Sequence, residues 1–449
     1  MKTHIRRIIL CGIVAVCILF FFKHYDAKEY SVNDQKEYIN RVCVMSNIPA
    51  LSVAVWDNEG EEFLNYSYND NMINKHTLYE LASTTKAFTG LGILQLQESG
   101  LLDANDPVSK YIPESHPTYH GTEVQITIEQ LLNHTSGIPV YSLERIPEEP
   151  FHKGGLSQSL SFLNGVKLVQ EPGLKHDYST VNYDLLALVI ERITGIGYEE
   201  YVKTYIFDEI GMIDSFFRTE AIQENVVQGY KQAFFCSYPY NAPVYYGNTA
   251  AGYLISDTND LMKWMKNVNT LFNFENYPIN PENKYYAGWN IYDDYVCHSG
   301  NNPNYSSQVY VARNEPIGVF VLSSENGLSV SVIGEGLFKM HRGETVKIGW
   351  ISDLYDILDV LFVLVPLLLL YGVLWIPLDS KIKAVIRLIV GCILIFGFIM
   401  FPFISPIGYE FCFVWYPGSL VFLIGVTVLL SVYLIARSIV YLRRRSIGS

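Results

Sequence analysis

The sequence predicts an α+β fold: an antiparallel β-sheet flanked by helices, with an inserted helical subdomain, followed by a three-helix transmembrane domain. Three observations carry that expectation. Strand-like segments open and close the middle of the chain, at residues 50–68 and 294–323, and can join as one sheet. The stretch between them is mainly helical. Three apolar runs long enough to cross a membrane come after the second group of strands.

In chain order, residues 8–22 are a short apolar run behind Lys2, Arg6 and Arg7. That pattern belongs to a secretory signal peptide or a signal anchor over residues 1–27, with Asp26-Ala27 as a weak cleavage point. Either form places the adjoining domain outside the cytoplasm. Residues 28–345 are that expected soluble domain. ALSVAVW (50–56) alternates as a strand does, DNEG (57–60) turns, and EFLNYSY (62–68) returns. A helix is expected from Ser83 to Ser99, stopped by Gly100. Thr127 to Gln130 is a capping-box pattern opening a short helix to Asn133. Val181–Thr194 sets Leu185, Leu186, Val189, Ile190 and Ile193 on one face and ends at Gly195. Strands at 294–298, 305–312 and 317–323 complete the sheet, and 341–350 lead out of the domain.

The runs Val360–Leu378, Leu388–Ile404 and Trp415–Ala436 approach or exceed the roughly 18–20 residues a spanning helix needs. They define an expected membrane domain at 354–437, with a basic tail at 438–449. Lys381, Lys383 and Arg387 lie between the first two runs, and Arg437 and Arg443 to Arg445 come after the last. Positive-inside logic therefore gives a multi-pass protein of the cytoplasmic (inner) membrane with residues 28–345 outside.

Composition excludes some classes. The net charge of −13 leaves no basic face for nucleic acid. Of seven cysteines only Cys43, Cys236 and Cys297 are expected outside, and three cannot all pair. No Cys/His pair has ligand spacing, so neither metal nor cofactor is expected.

Three motifs carry chemistry. In Ser83-Thr84-Thr85-Lys86 a hydroxyl and an amine stand three apart on one helical face. Serine needs a base to become a nucleophile, and a buried lysine can be one. Taken alone, the pair is as readily a capping serine with a solvated lysine. Tyr178-Ser179-Thr180 precedes the 181–194 helix, and a phenol near a lysine can relay a proton; but it is one of 33 tyrosines. His298-Ser299-Gly300 ends a strand, where glycine admits a close backbone or ligand.

Order and setting add weight to all three. LYELASTTKAFTGLGILQLQESGLLDANDPVSKYIP, ITIEQLLNHTSGIP, PGLKHDYSTVNYDLLALVIERITG and HSGNNPNYSSQVYVARNEPIGVFVLSSEN, in that order, resemble the landmarks of the serine β-lactamase-like family over residues 40–340. That family includes class C β-lactamases, D-amino-acid peptidases and esterases. The resemblance implies a β-lactamase/D,D-peptidase-like fold. Ser83 would be the acylated nucleophile, and Lys86 and Tyr178 would share the proton work. His298 would stand where many relatives carry a basic residue. The N–H groups of Ser83 and Asn301 would form the oxyanion hole beside Gly300. His134-Thr135-Ser136-Gly137 is read as a structural turn. Thr180 departs from the asparagine many relatives carry, which weakens a β-lactamase reading.

The appended spans, HSGNNPNYSS and FVWYPGSLVFLIG resemble a narrower group, the membrane-bound D-asparaginyl peptidases that activate prodrugs of the colibactin and zwittermicin type. That resemblance implies removal of an acyl-D-Asn cap from an exported precursor, with a lipid-capped peptide, membrane lipid and an export transporter as partners. The cap pocket would draw on Thr180, Asn248 and Asn302, all able to hydrogen-bond a carboxamide. The rival readings are a penicillin-binding protein or D,D-carboxypeptidase, a β-lactamase or esterase of the same fold, and an acylated sensor or binding protein that does not turn over.

Overall fold

The computed structural model describes residues 10–15, 25–68, 73–140, 156, 164–218, 226–276, 283–350, 353–375, 377–405 and 407–447. Most of the expected 1–27 leader lies outside them. The chain forms two compact units, one of residues 28–230 and 239–348, the other of 1–27, 231–238 and 349–449.

The first unit is built on a seven-stranded antiparallel sheet. Its strands in chain order are β1 (Ala50–Asp57), β2 (Gly60–Ser67), β3 (Tyr285–Tyr286), β4 (Trp289–Ile291), β5 (Tyr295–Asn302), β6 (Tyr305–Ala312) and β7 (Gly318–Ser323). They pair in the order β3-β4-β5-β6-β7-β1-β2, so early and late strands meet at β7 and β1 as the sequence predicts. Every residue of β7 is buried, which requires cover on both faces. Side chains alternate between faces along a strand. On one face Gly318 faces Met265 of the helix Thr258–Phe272; on the other, Gln308 and Tyr310 meet Gly334 of the helix Ser329–His341.

The helical layer of this unit includes α1 (Gln35–Ser46), α2 (Lys86–Glu98), α3 (Val181–Thr194), α4 (Thr258–Phe272) and α5 (Ser329–His341). Phe88 of α2 stacks on Trp264 of α4 with ring centroids 4.0 Å apart. Thr127 caps Ile128–Leu132 through a complete capping box, as its sequence pattern predicts. α2 starts three residues later than expected. Ala82–Thr85 is a 3-10 turn, entered through Ala82 at φ +49° and held by Thr84 Oγ1 donating to Leu81 O at 2.8 Å.

The second unit contains α6 (Leu354–Trp375), α7 (Lys381–Ile404), α8 (Tyr409–Trp415) and α9 (Leu420–Ile447). Three of its helices, over Leu354–Val373, Lys381–Ile404 and Leu420–Arg444, are long and apolar enough to cross a membrane. α9 continues through Arg443 and Arg444, so the expected tail is largely helical. Gly391 of α7 lets α9 approach closely: a Cβ there would lie 2.9 Å from Ser431 O.

Residues 231–238, the middle of a hairpin between Tyr230–Ala233 and Cys236–Pro239, group with these helices. Its turn residues Phe234 and Phe235 both have positive φ. Their N–H groups donate to the Asp359 carboxylate at 3.0 and 2.6 Å, and Ser419 Oγ donates to the same group. Lys231 Nζ donates to Phe413 O at 2.5 Å and Val414 O at 2.9 Å. No pattern in the sequence assigns this hairpin to the helical unit.

Candidate active site

From residue 77 to residue 94 every side chain is buried except that of Ser83, which the 3-10 turn leaves partly exposed. A hydrophobic segment thus presents a single hydroxyl to solvent. Lys86, on the first turn of α2, is fully buried. Its Nζ donates to Ser83 Oγ at 3.0 Å and to Ala251 O at 2.7 Å. The Lys86 nitrogen also lies 5.2 Å from the ring centroid of Tyr178. The structure therefore gathers Ser83, Lys86 and Tyr178, as their order in the sequence predicts.

β5 passes beside the nucleophile turn. A Cβ on Gly300 would sit 2.4 Å from Leu81 O and 3.0 Å from Ser83 N, so only glycine allows this approach. The Ser83 N–H is thereby held against the strand that continues to Asn301. Asn301 is itself fixed, its Oδ1 accepting from Gly327 N at 3.0 Å.

His298 differs in character from the basic residue of many relatives. Its Nδ1 lies 2.6 Å from Ser299 O and so carries the proton; its Nε2 lies 2.9 Å from Tyr285 Oη and accepts from it. Burial, with the nearby Lys86 charge, pushes the imidazole down to about 3. His298 is therefore a neutral group with both nitrogens occupied.

His134 does more than turn the chain. It is fully buried at φ +55° and packs on Tyr178 with ring centroids 4.2 Å apart. Asn182 Oδ1 accepts from Ser136 Oγ at 2.8 Å, so its amino group faces His134 Nδ1 at 2.9 Å, and Ser179 N donates to the same nitrogen at 3.3 Å. Burial, and then the Lys86 charge, hold this imidazole well below its ordinary value. It supports the ring of Tyr178 without adding a second cation. Asp184, also fully buried, has its carboxyl pushed well above the usual range by burial, with Lys86 opposing.

Thr180, Asn248 and Asn302 come together as well. Thr180 Oγ1 donates to Asn248 Oδ1 at 3.1 Å. Asn302 Nδ2 donates to Glu80 Oε2 and Gly252 O, both at 2.9 Å. Asn248 Nδ2 and Asn302 Oδ1 each lie 3.5 Å from the point where a Cβ of Gly252 would stand. A donor and an acceptor therefore flank one point at Gly252, directly after Ala251, whose carbonyl holds Lys86.

Tyr285, Glu80, Arg218 and Asp184 are not among the residues the sequence points to. Glu80 sits three residues before Ser83 in a segment that reads only as buried flank. Elsewhere in the unit, His76 Nδ1 lies 3.2 Å from Asp257 Oδ2 and 3.4 Å from Asp214 Oδ2, a grouping that residue spacing does not reveal. Asp257 Oδ1 caps α4 by accepting from Asp260 N at 2.8 Å, which gives the cluster a structural role.

Comparison with known proteins bears on the family. A β-lactamase family model matches residues 36–336. Protein flp of Staphylococcus aureus is 30% identical over 343 residues, 68% of this chain and 66% of its own length, so this chain spans about two thirds of that relative. A penicillin-binding protein of Bacillus subtilis is 38% identical over 143 residues, 31% of this chain and 30% of its own. Among solved structures, the octameric penicillin-binding protein homologue from Pyrococcus abyssi aligns with a TM-score of 0.60 and 25% identity, over 70% of this chain and 78% of that one. A D-stereospecific amidohydrolase from Streptomyces sp. shares the fold, with a TM-score of 0.55 and 22% identity over 66% of this chain and 95% of that one. A family match over residues 36–336, which holds the hydroxyl raised on a buried turn and the lysine behind it, leads to one conclusion: this chain belongs to the β-lactamase family and has its fold.

Proposed function

We propose that the protein is a membrane-anchored serine peptidase that removes an acyl-D-asparagine cap from an exported non-ribosomal-peptide precursor. The observation that carries this reading is that Asn248 Nδ2 and Asn302 Oδ1, a donor and an acceptor, flank the same point at Gly252. A side-chain carboxamide offers one acceptor and two donors, and so complements that pair.

In this reading Ser83 Oγ attacks the carbonyl of the D-residue. Lys86 and Tyr178 take the hydroxyl proton and deliver it to the leaving amine. The N–H groups of Ser83 and Asn301 stabilise the oxyanion, and water releases the acyl-enzyme. The spanning helices support a substrate with a fatty-acyl cap. Such a chain gains about 0.8 kcal/mol per methylene on entering lipid, which concentrates it where a tethered hydrolase works. Residues 28–345 then lie outside the cytoplasmic membrane, and an export transporter supplies the precursor.

The penicillin-binding relative favours a second reading, a D,D-carboxypeptidase or β-lactamase. Their substrates bear a free carboxylate, which a basic residue on the strand carrying residue 298 would favour. Here His298 is neutral and already engaged at both nitrogens, which favours an uncharged leaving group.

Mass spectrometry of Ser83 after incubation with acyl-D-Asn and acyl-L-Asn amides tests the proposal. Labelling by the D form alone is expected. Equal labelling, or none, overturns it, as does a Ser83→Ala protein that still processes the precursor.

A further inference from the structure

Glu80 is a buried carboxylate that the proposed chemistry does not use. It lies on a two-residue strand, Tyr79–Glu80, whose backbone pairs with Ile255, and it is only 2% exposed. Arg218 makes an ion pair with one of its oxygens, and the Arg218 N–H is held by Tyr253 O at 3.1 Å. Its other oxygen accepts from Asn302 Nδ2 at 2.9 Å.

That contact fixes which way Asn302 points. A carboxylate and a backbone carbonyl can only accept hydrogen bonds. The end of Asn302 within 2.9 Å of both Glu80 Oε2 and Gly252 O is therefore its amino group, with each hydrogen used. Its carbonyl oxygen is the end that lies beside Gly252. Asn248 is placed in the opposite sense: its oxygen accepts from the Thr180 hydroxyl and its amino group lies beside Gly252.

We infer that Glu80, charged and backed by Arg218, is a specificity-determining residue: it locks Asn302 as an acceptor and so makes the pocket select a carboxamide over a carboxylate. The inference rests on the reading of this pocket as the cap site. A carboxamide satisfies the acceptor and the donor together. An ionised carboxylate, which has only acceptors, would meet the lone pairs of Asn302 Oδ1 with a second negative charge behind them. A buried acceptor facing an acceptor is among the strongest means of rejecting a near-isostere. Without Glu80, Gly252 O alone still accepts from the Asn302 amino group, so the amide is held by one acceptor instead of two and turns more readily to offer its amino group to a carboxylate. Glu80 acts through Asn302 and touches no reacting atom, so it is a positioning residue.

The test compares kcat/KM for acyl-D-Asn and acyl-D-Asp amides in the full-length protein and in Glu80→Gln, which keeps the shape but can accept or donate. Labelling of Ser83 by a fluorophosphonate reports whether the variant site is formed. The D-Asn to D-Asp ratio is expected to fall at least tenfold in Glu80→Gln, whatever common loss both substrates share. An unchanged ratio in a labelled variant overturns the role of Glu80 and leaves the pocket reading intact. A wild-type protein with no preference for D-Asn overturns the pocket reading and this inference with it. If Glu80→Gln takes no label, the double variant Glu80→Gln/Arg218→Gln, which removes both buried charges together, carries the same expectation.

Discussion

Among the described residues two lysines are buried, Lys86 in the hydrolase unit and Lys231 in the helical unit. Both use backbone carbonyls to offset the loss of water. Lys86 donates to Ala251 O; Lys231 donates to Phe413 O and Val414 O, near the end of α8. The difference is the use each amine makes of its charge. Lys86 directs a hydrogen to Ser83 Oγ and faces the ring of Tyr178. Lys231 directs two at a helix end, where a cation complements the carbonyl dipoles. A buried amine thus becomes chemically useful only when one of its hydrogen bonds goes to a group that must lose a proton.

The largest expected effect separates the two. Lys86→Met should slow Ser83 acylation by about 10²–10⁴-fold, the usual worth of a positioned acid–base group. The burst of product from an acyl-D-Asn amide reads it. Lys231→Met should leave that burst in place. A comparable loss in Lys231→Met, in protein that still takes a fluorophosphonate label, would break the comparison.

The second effect is on stability. Lys231→Met strands two carbonyl oxygens, and an unsatisfied buried acceptor costs about 1–3 kcal/mol. The full-length protein in detergent should therefore melt at a lower temperature than wild type. An unchanged melting temperature would mean that water replaces the ammonium.

A third, smaller effect concerns the charge carried by β5. His298→Lys restores a basic residue on that strand. Acylation of Ser83 by benzylpenicillin, a carboxylate-bearing substrate, should rise severalfold over wild type. Intact-protein mass spectrometry measures it, and no rise would remove the argument that neutral His298 turns carboxylates away.

The two lysines also mark what the sequence discloses. Lys86 is legible because its partners recur at short or ordered spacing: Ser83 three residues before it, Tyr178 before a helix with a clear apolar face, Gly300 at a strand end. The sheet is legible for the same reason, since strand-like segments at 50–68 and 294–323 have one simple packing solution. Lys231 is not. YKQAFFCSYP reads as an ordinary hairpin, and nothing in it announces that Asp359, far along the chain, will hold its turn. Glu80 and Tyr285 escape notice on similar grounds. Glu80 gains meaning only from Asn302 and Arg218, and Tyr285 only from His298. Local patterns report local geometry, whereas a buried polar group is explained by partners that the fold alone brings near.

A further effect is a pH dependence that Lys231 should contribute to the helical unit. Burial pushes its ammonium down to about 8, against about 10.4 for a free lysine. Below pH 8 the amine is charged in both states, and the folded chain bears the full desolvation penalty. Between about 8 and 10.4 the folded state has released its proton while the unfolded state still holds one. The unfolded state then binds more protons, so stability rises with pH across that window, by about 1.4 kcal/mol per unit at most. Thermal unfolding from pH 7 to 10, taken as wild type minus Lys231→Met, isolates the contribution because all other groups are shared. A difference that grows with pH identifies an amine whose burial outweighs the contacts that hold its charge. A flat difference would mean that Lys231 keeps its proton across the window, as an ion-paired lysine does, and its carbonyl contacts would then fully offset the loss of water.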